Sequence, residues 1–179
     1  MRVLCTWGVA CVNLFTSFFL VFIIFVCSGT GLCGLTAAVV GASITVLTDI
    51  PSLEELNEKN KSSFMRTIVD NNQLSAERRD LAVESLDKCS FASYRWGTPL
   101  PPSLELANGQ FYDVIVVSDD LYDDDAFPPL LESLKILVGD NTLVLFSYKR
   151  RMDKREIPFF EVRILITIGT MMISLPAMI

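Results

Sequence analysis

The stretch "VCSGTGLCGL", Val26 to Leu35, decides how the chain is read, because a glycine-punctuated turn there follows directly on the apolar run "FIIFV" (Phe22 to Val26). A β-branched and aromatic run that ends in a glycine turn reads as a fully buried parallel strand. Working outward, "LCGLTAAVVGA" (Leu32 to Ala42) predicts a helix and "SITVLTD" (Ser43 to Asp49) a second strand. A further helix is expected to open near "PSLEEL", with Pro51 in its first turn, Ser52 as cap and Glu54 and Glu55 at its positive end. Asn57 to Lys88 is polar and reads as helix end, loop and solvated helix, a surface insert without chemistry. The rhythm resumes with "CSFASYRW" (Cys89 to Trp96), a proline-rich loop, "YDVIVVSD" (Tyr112 to Asp119), a helix within "AFPPLLESLKILV" and "NTLVLFSY" (Asn141 to Tyr148). Five strands alternating with helices predict an α/β fold with a doubly wound, mostly parallel sheet. The apolar tail after Glu161 has room for one or two closing strands.

The same apolar start supports a competing reading. After Arg2 no charged residue occurs until Asp49, and "LFTSFFLVFIIFV" (Leu14 to Val26), extended back to Val9, approaches the roughly 20 residues that span a bilayer. Arg2 in front and Cys27, Ser28 and Gly29 behind also give it the outline of a signal-peptide core. Membrane association through residues 9–27 is therefore an expectation that competes with strand formation for the same residues. The corresponding division is an apolar segment over 1–21, a domain over 22–161 and an apolar tail over 162–179.

Composition narrows the chemistry. The 179 residues hold 15 basic and 21 acidic side chains, a net charge of −6 that offers no basic footprint for nucleic acid. Five cysteines without a C-x-x-C pair suggest neither a disulfide framework nor a zinc cluster, so no metal is expected and a reducing, cytoplasmic compartment fits best, with the membrane as the alternative. The absence of histidine removes Ser-His and Cys-His nucleophilic machinery. Chemistry must run on carboxylates, Tyr, Lys or Cys, or on a reactive cofactor.

In open parallel sheets ligands lie beyond the carboxyl ends of the strands, where strand order reverses. That rule selects the Ser28-Gly29-Thr30-Gly31 turn, Asp49 about twenty residues later as an acceptor for ribose hydroxyls, Trp96 as an aromatic wall, and Ser118 with Asp119. Together they describe a nucleoside pocket. A P-loop needs Lys followed by Ser or Thr after the glycines, and Leu32-Cys33 stands there instead; Gly29, Gly31 and Gly34 formally supply G-x-G-x-x-G, which keeps a nucleotide-dependent oxidoreductase open.

The segments "SGTGLCGLTAAVVGASITVLTDIPSLEELNEKN", "RWG", "YDVIVVSDDLY" and "LVLFSYKRR" followed by "FFE" resemble the seven-strand, S-adenosylmethionine-dependent methyltransferases of the methyltransferase-like lysine methyltransferase family. The match runs from about Val26 to Glu161. The resemblance implies a Rossmann-like class I methyltransferase fold, S-adenosylmethionine as cofactor and a lysine-bearing protein as partner. It implies that Ser28 and Gly29 touch the methionine end of the cofactor, with Cys27 and Gly31 in the same loop. Asp49 would take the ribose, Trp96 the adenine region and Ser118 the adenosine side, while Asp119 and Tyr122 line the mouth where the lysine amine arrives. The chain departs from the family's Glu-Leu-Gly-x-Gly pattern at Phe25 and Cys27, and restoring both (Phe25→Glu, Cys27→Gly) is expected to tighten cofactor binding. The likeness stops abruptly at both ends, which implies a truncated or alternatively spliced product, or a membrane-anchored, non-catalytic relative that keeps the scaffold and offers its acidic edge to a partner.

Overall fold

The computed structural model describes residues 21–118, 120, 123–148 and 173–176. Six strands, β1 (Phe22–Val26), β2 (Ile44–Asp49), β3 (Cys89–Ser93), β4 (Val114–Ser118), β5 (Leu143–Tyr148) and β6 (Ile173–Pro176), form one sheet in the order β3-β2-β1-β4-β5-β6. Every pairing in it is parallel. Four helices connect them: α1 (Leu32–Val39), α2 (Glu54–Val69), α3 (Ala76–Asp87) and α4 (Phe127–Leu137). This is the α/β, Rossmann-like architecture expected from the alternation. Among the described residues the tail contributes β6, on the outer side of β5.

β1 explains why the apolar run had to be a strand. Ile24 and Val26 enter one layer with Ile115, Val117, Leu130 and Leu134, while Ile23 and Phe25 enter the opposite layer with Leu35, Ala38 and Leu86. Both faces are covered, so the alternating polar residue of a half-buried strand has no place here. Its backbone is paired on both sides, Ile24 facing Val46 in β2 and Ile115 in β4. A membrane helix over residues 9–27 is therefore corrected for Phe22–Val26, which form the centre of the sheet; residues 9–20 lie outside the described residues. Among the described residues no helix is long and apolar enough to cross a membrane.

One local expectation fails. Ser52 does not cap a helix: Pro51–Leu53 form a separate 3-10 turn, Leu53 precedes α2, and no side chain caps it. Glu54 and Glu55 do occupy the first turn of α2. α3 is the helix with a side-chain cap, Ser75 Oγ accepting from Arg78 N–H at 3.3 Å. The sheet order reverses between β1 and β4, because the chain builds β2 and β3 on one side before crossing back. The carboxyl ends of β1, β2 and β4 consequently border the crevice that holds the candidate residues.

Candidate functional site

Leaving β1, the chain turns sharply: Cys27, Gly29 and Gly31 have φ of 58°, 56° and 78°. Ser28 N–H donates to Thr48 O at 2.7 Å, continuing the pairing with β2 one step past the strand. Gly29 N–H donates to Asp49 Oδ2 at 2.8 Å, and Ile50 N–H donates to Asp49 Oδ1 at 2.8 Å. Asp49 is 6% exposed. Each of its carboxylate oxygens thus takes one backbone donor and keeps a second acceptor direction. The acid selected from the sequence as a ribose acceptor is also the peg that holds the glycine loop to β2.

The three glycines of the loop answer to different demands. A Cβ on Gly29 would meet nothing within 4 Å, so the backbone there is an open shelf. At Gly31 a Cβ would run into Asn57 Oδ1, and at Gly34 into Leu47 and, at 3.2 Å, Phe25 Cδ2. Gly34 therefore lets α1 lie close on the sheet. The G-x-G-x-x-G spacing has a packing cause at its third position.

Cys27 holds a left-handed backbone with a side chain, which costs about 1–2 kcal/mol relative to glycine. Burial, then the carboxylates of Asp120 and Asp49, push its thiol far above the usual cysteine range, so it stays protonated. Asp120, 2% exposed just beyond β4, is a buried acid of the site that the sequence reading passed over. It sits within the run "SDDLYDDD", whose density of charge reads as a solvated loop. Asn57 and Asn60 were missed too. From α2, Asn57 Nδ2 donates to Gly29 O at 2.9 Å and Asn60 Nδ2 donates to Thr30 O at 2.8 Å, so the polar stretch read as a surface insert grips the loop. Their spacing of three residues, directly after the second strand, was the available signal.

The structure brings Ser28, Gly29, Gly31 and Asp49 into one hydrogen-bonded unit, with Cys27 in the same turn beside Asp49 and Asp120. Trp96 stands two residues beyond Tyr94, whose N–H bonds Asp49 O at 2.9 Å, and it is half-buried against the core layer of Ile24 and Leu130. Ser118 is exposed at the end of β4. Asp119 and Tyr122 lie outside the described residues. The resulting edge offers an open backbone shelf, a buried hydroxyl at Ser28 Oγ with no bonded partner among the described residues, and two carboxylates converging on the loop. Such a site suits a ligand that carries hydroxyl donors and positive charge.

The structure also separates the two restorations suggested by the sequence. Phe25 is 7% exposed and packed in the apolar layer with Leu35, so Phe25→Glu buries a carboxylate there and is expected to destabilise the fold. Cys27→Gly alone removes the backbone strain and is expected to raise stability by about 1 kcal/mol in urea unfolding. A loss of stability in that variant would mean that the thiol's contacts outweigh the strain.

Comparison with known proteins gives a consistent placement. The sequence model of the lysine methyltransferase family matches residues 20–163. The chain is 30% identical over 136 residues to the protein N-lysine methyltransferase METTL21A of Danio rerio, covering 76% of this chain and 53% of that one. It is 26% identical over 134 residues to EEF1A lysine methyltransferase 3 of Xenopus tropicalis, covering 75% and 49%. The chain thus spans about half the length of the curated relatives it matches. A solved diketoreductase structure is similar with a TM-score of 0.50 at 12% identity, covering 78% of this chain and 45% of that one, which is a likeness of fold alone.

Proposed function

Because the chain belongs to the lysine methyltransferase family, we propose that it transfers a methyl group from S-adenosylmethionine to the side-chain amine of a lysine on a protein partner. The observation that carries this reading is the clasp of Gly29 N–H on Asp49 Oδ2 at the point where the sheet order reverses. It fixes a glycine shelf and an acid side by side, as a nucleoside ligand requires.

The residues present fit the cofactor. Gly29 leaves space above the backbone, Ser28 Oγ is a buried hydroxyl with no bonded partner among the described residues, and Asp49 keeps acceptor directions for ribose hydroxyls. In this proposal Ser28 and Gly29 hold the methionine end over a floor that includes Cys27 and Gly31. Asp49 holds the ribose, Trp96 flanks the adenine and Ser118 the adenosine side. When bound, S-adenosylmethionine supplies an electrophilic methyl carbon on a sulfonium sulfur.

The chain's own residues have three tasks. The loop and Asp49 fix the position of the methyl donor, because alignment of two reactants is the main source of rate in a direct displacement. Asp49 and Asp120 place negative charge beside a cationic ligand. Asp119 and Tyr122 orient the incoming amine, and a carboxylate at the entrance accepts the proton that the ammonium must shed before its nitrogen can attack. None of these tasks needs a histidine.

Calorimetric titration of the chain with S-adenosylhomocysteine tests the reading, followed by transfer of labelled methyl groups to lysine in a cell extract depleted of its own methyl donor. Saturable binding that Asp49→Ala abolishes is expected. A folded chain that takes up no ligand would sink the proposal.

A further inference from the structure

We infer that Asn57 is a positioning residue: its side-chain amide sets the orientation of the Gly29–Thr30 peptide and so presents the Thr30 N–H to the ligand side of the loop. The inference rests on the cofactor reading for its consequence, but its cause is visible in the hydrogen bonds alone.

Asn57 is 2% exposed in a helix whose average residue is polar and solvated. Its Nδ2 donates to Leu53 O at 3.0 Å, the carbonyl one turn back, and to Gly29 O at 2.9 Å, which lies 28 residues earlier in the chain. Both amide protons are therefore assigned. Its Oδ1 has no bonded partner among the described residues and occupies the space that a Cβ on Gly31 would need. A buried acceptor left unsatisfied is destabilising, so an apolar side chain of similar size would pack there at lower cost. What the amide does, and leucine cannot, is fix a carbonyl.

Fixing the carbonyl also fixes the N–H. All described peptides are trans, so the Thr30 N–H points opposite to Gly29 O and hence away from α2. Thr30 is exposed. The neighbouring bonds hold the rest of the loop: Asn60 draws Thr30 O toward the same helix, and Asp49 holds Gly29 N–H against β2. With φ positive at Gly29, the peptide has little intrinsic preference for either orientation, and the amide of Asn57 decides it. The outcome is a backbone donor aimed at the cofactor side of the crevice.

The test uses the full chain and the isosteric variant Asn57→Asp, which removes both donors. Amide hydrogen exchange is followed at Gly29 and Gly31, whose N–H groups are bonded to Asp49 and Ser28, and at Ile24 and Ile115 in the core; S-adenosylhomocysteine binding is titrated on the same samples. Exchange at the two glycines is expected to rise roughly tenfold relative to the core, with affinity per folded molecule falling by a similar factor. A purely structural role would speed exchange in loop and core alike and leave the affinity of folded molecules unchanged, which would overturn the inference. Should Asn57→Asp not fold, Asn60→Ala, at a half-buried position, must still loosen Gly31 selectively; a loop as protected as in the wild type overturns the clamp. If the wild-type chain binds no ligand, the cofactor reading falls, while the ratio of loop to core exchange still decides whether Asn57 holds the peptide.

Discussion

Gly31→Ala is expected to lower unfolding stability by about 3 kcal/mol. Two costs add at this position. The backbone φ of 78° is left-handed, which penalises any side chain by roughly 1–2 kcal/mol. The new Cβ also collides with Asn57 Oδ1 and comes within 3.0 Å of Leu47 Cδ1. Leu47 can move, but Asn57 is held by its two donated bonds and cannot yield without releasing Gly29 O. The variant should therefore lose S-adenosylhomocysteine binding even at urea concentrations where it remains folded. The matched control is Gly29→Ala, which meets no atom within 4 Å and carries the backbone penalty alone. Equal losses at both positions would show that strain, and not the clash with Asn57, governs the loop.

Asp49→Ala is expected to cost about 2–4 kcal/mol and to abolish ligand binding. The carboxylate satisfies Gly29 N–H and Ile50 N–H, and its removal orphans two donors at a buried position. Partial hydration of the vacated space offsets some of that cost. Asp49→Asn distinguishes the two roles. Its oxygen can keep one of the two backbone donors, so part of the stability should return in a urea titration. Its amide cannot accept ribose hydroxyls on both sides, so affinity should remain at least tenfold below wild type. If Asn restored affinity as fully as stability, Asp49 would be a peg for the loop and nothing more.

The expectations that succeeded were set by local pattern. "FIIFV" followed by a glycine turn reads as a buried strand entering a helix, because both the β-branched residues and the glycine spacing act within a few residues of one another; the competing membrane reading of the same run was removed only by its pairing with β2 and β4. Asp49 was legible for the same reason: it ends a strand that pairs with β1, and the parallel register of Phe25 with Leu47 carries it to the mouth of the loop. The family resemblance rested on these segments and agrees with the match over residues 20–163.

The failures share a different cause. Ser52 has the chemistry of a cap, but an intervening 3-10 turn moved the start of α2 to Glu54, a choice made by how the chain leaves β2. Asp120 and Asn57 sit in polar surroundings along the sequence, and composition alone assigns both to solvent. Each is buried because a neighbouring element covers it: Asn57 faces the loop after β1, and Asp120 lies beside Cys27.

By itself, then, the sequence determined the alternating sheet, the position of the glycine loop and the acid that faces it, since hydrophobic periodicity and turn chemistry are short-range properties. Only the tertiary structure decided which polar side chains leave water to hold that loop. Burial of Asn57 and Asp120 depends on contacts between segments 28 and 93 residues apart, those joining Gly29 to Asn57 and Cys27 to Asp120, and no local pattern encodes a separation of that kind.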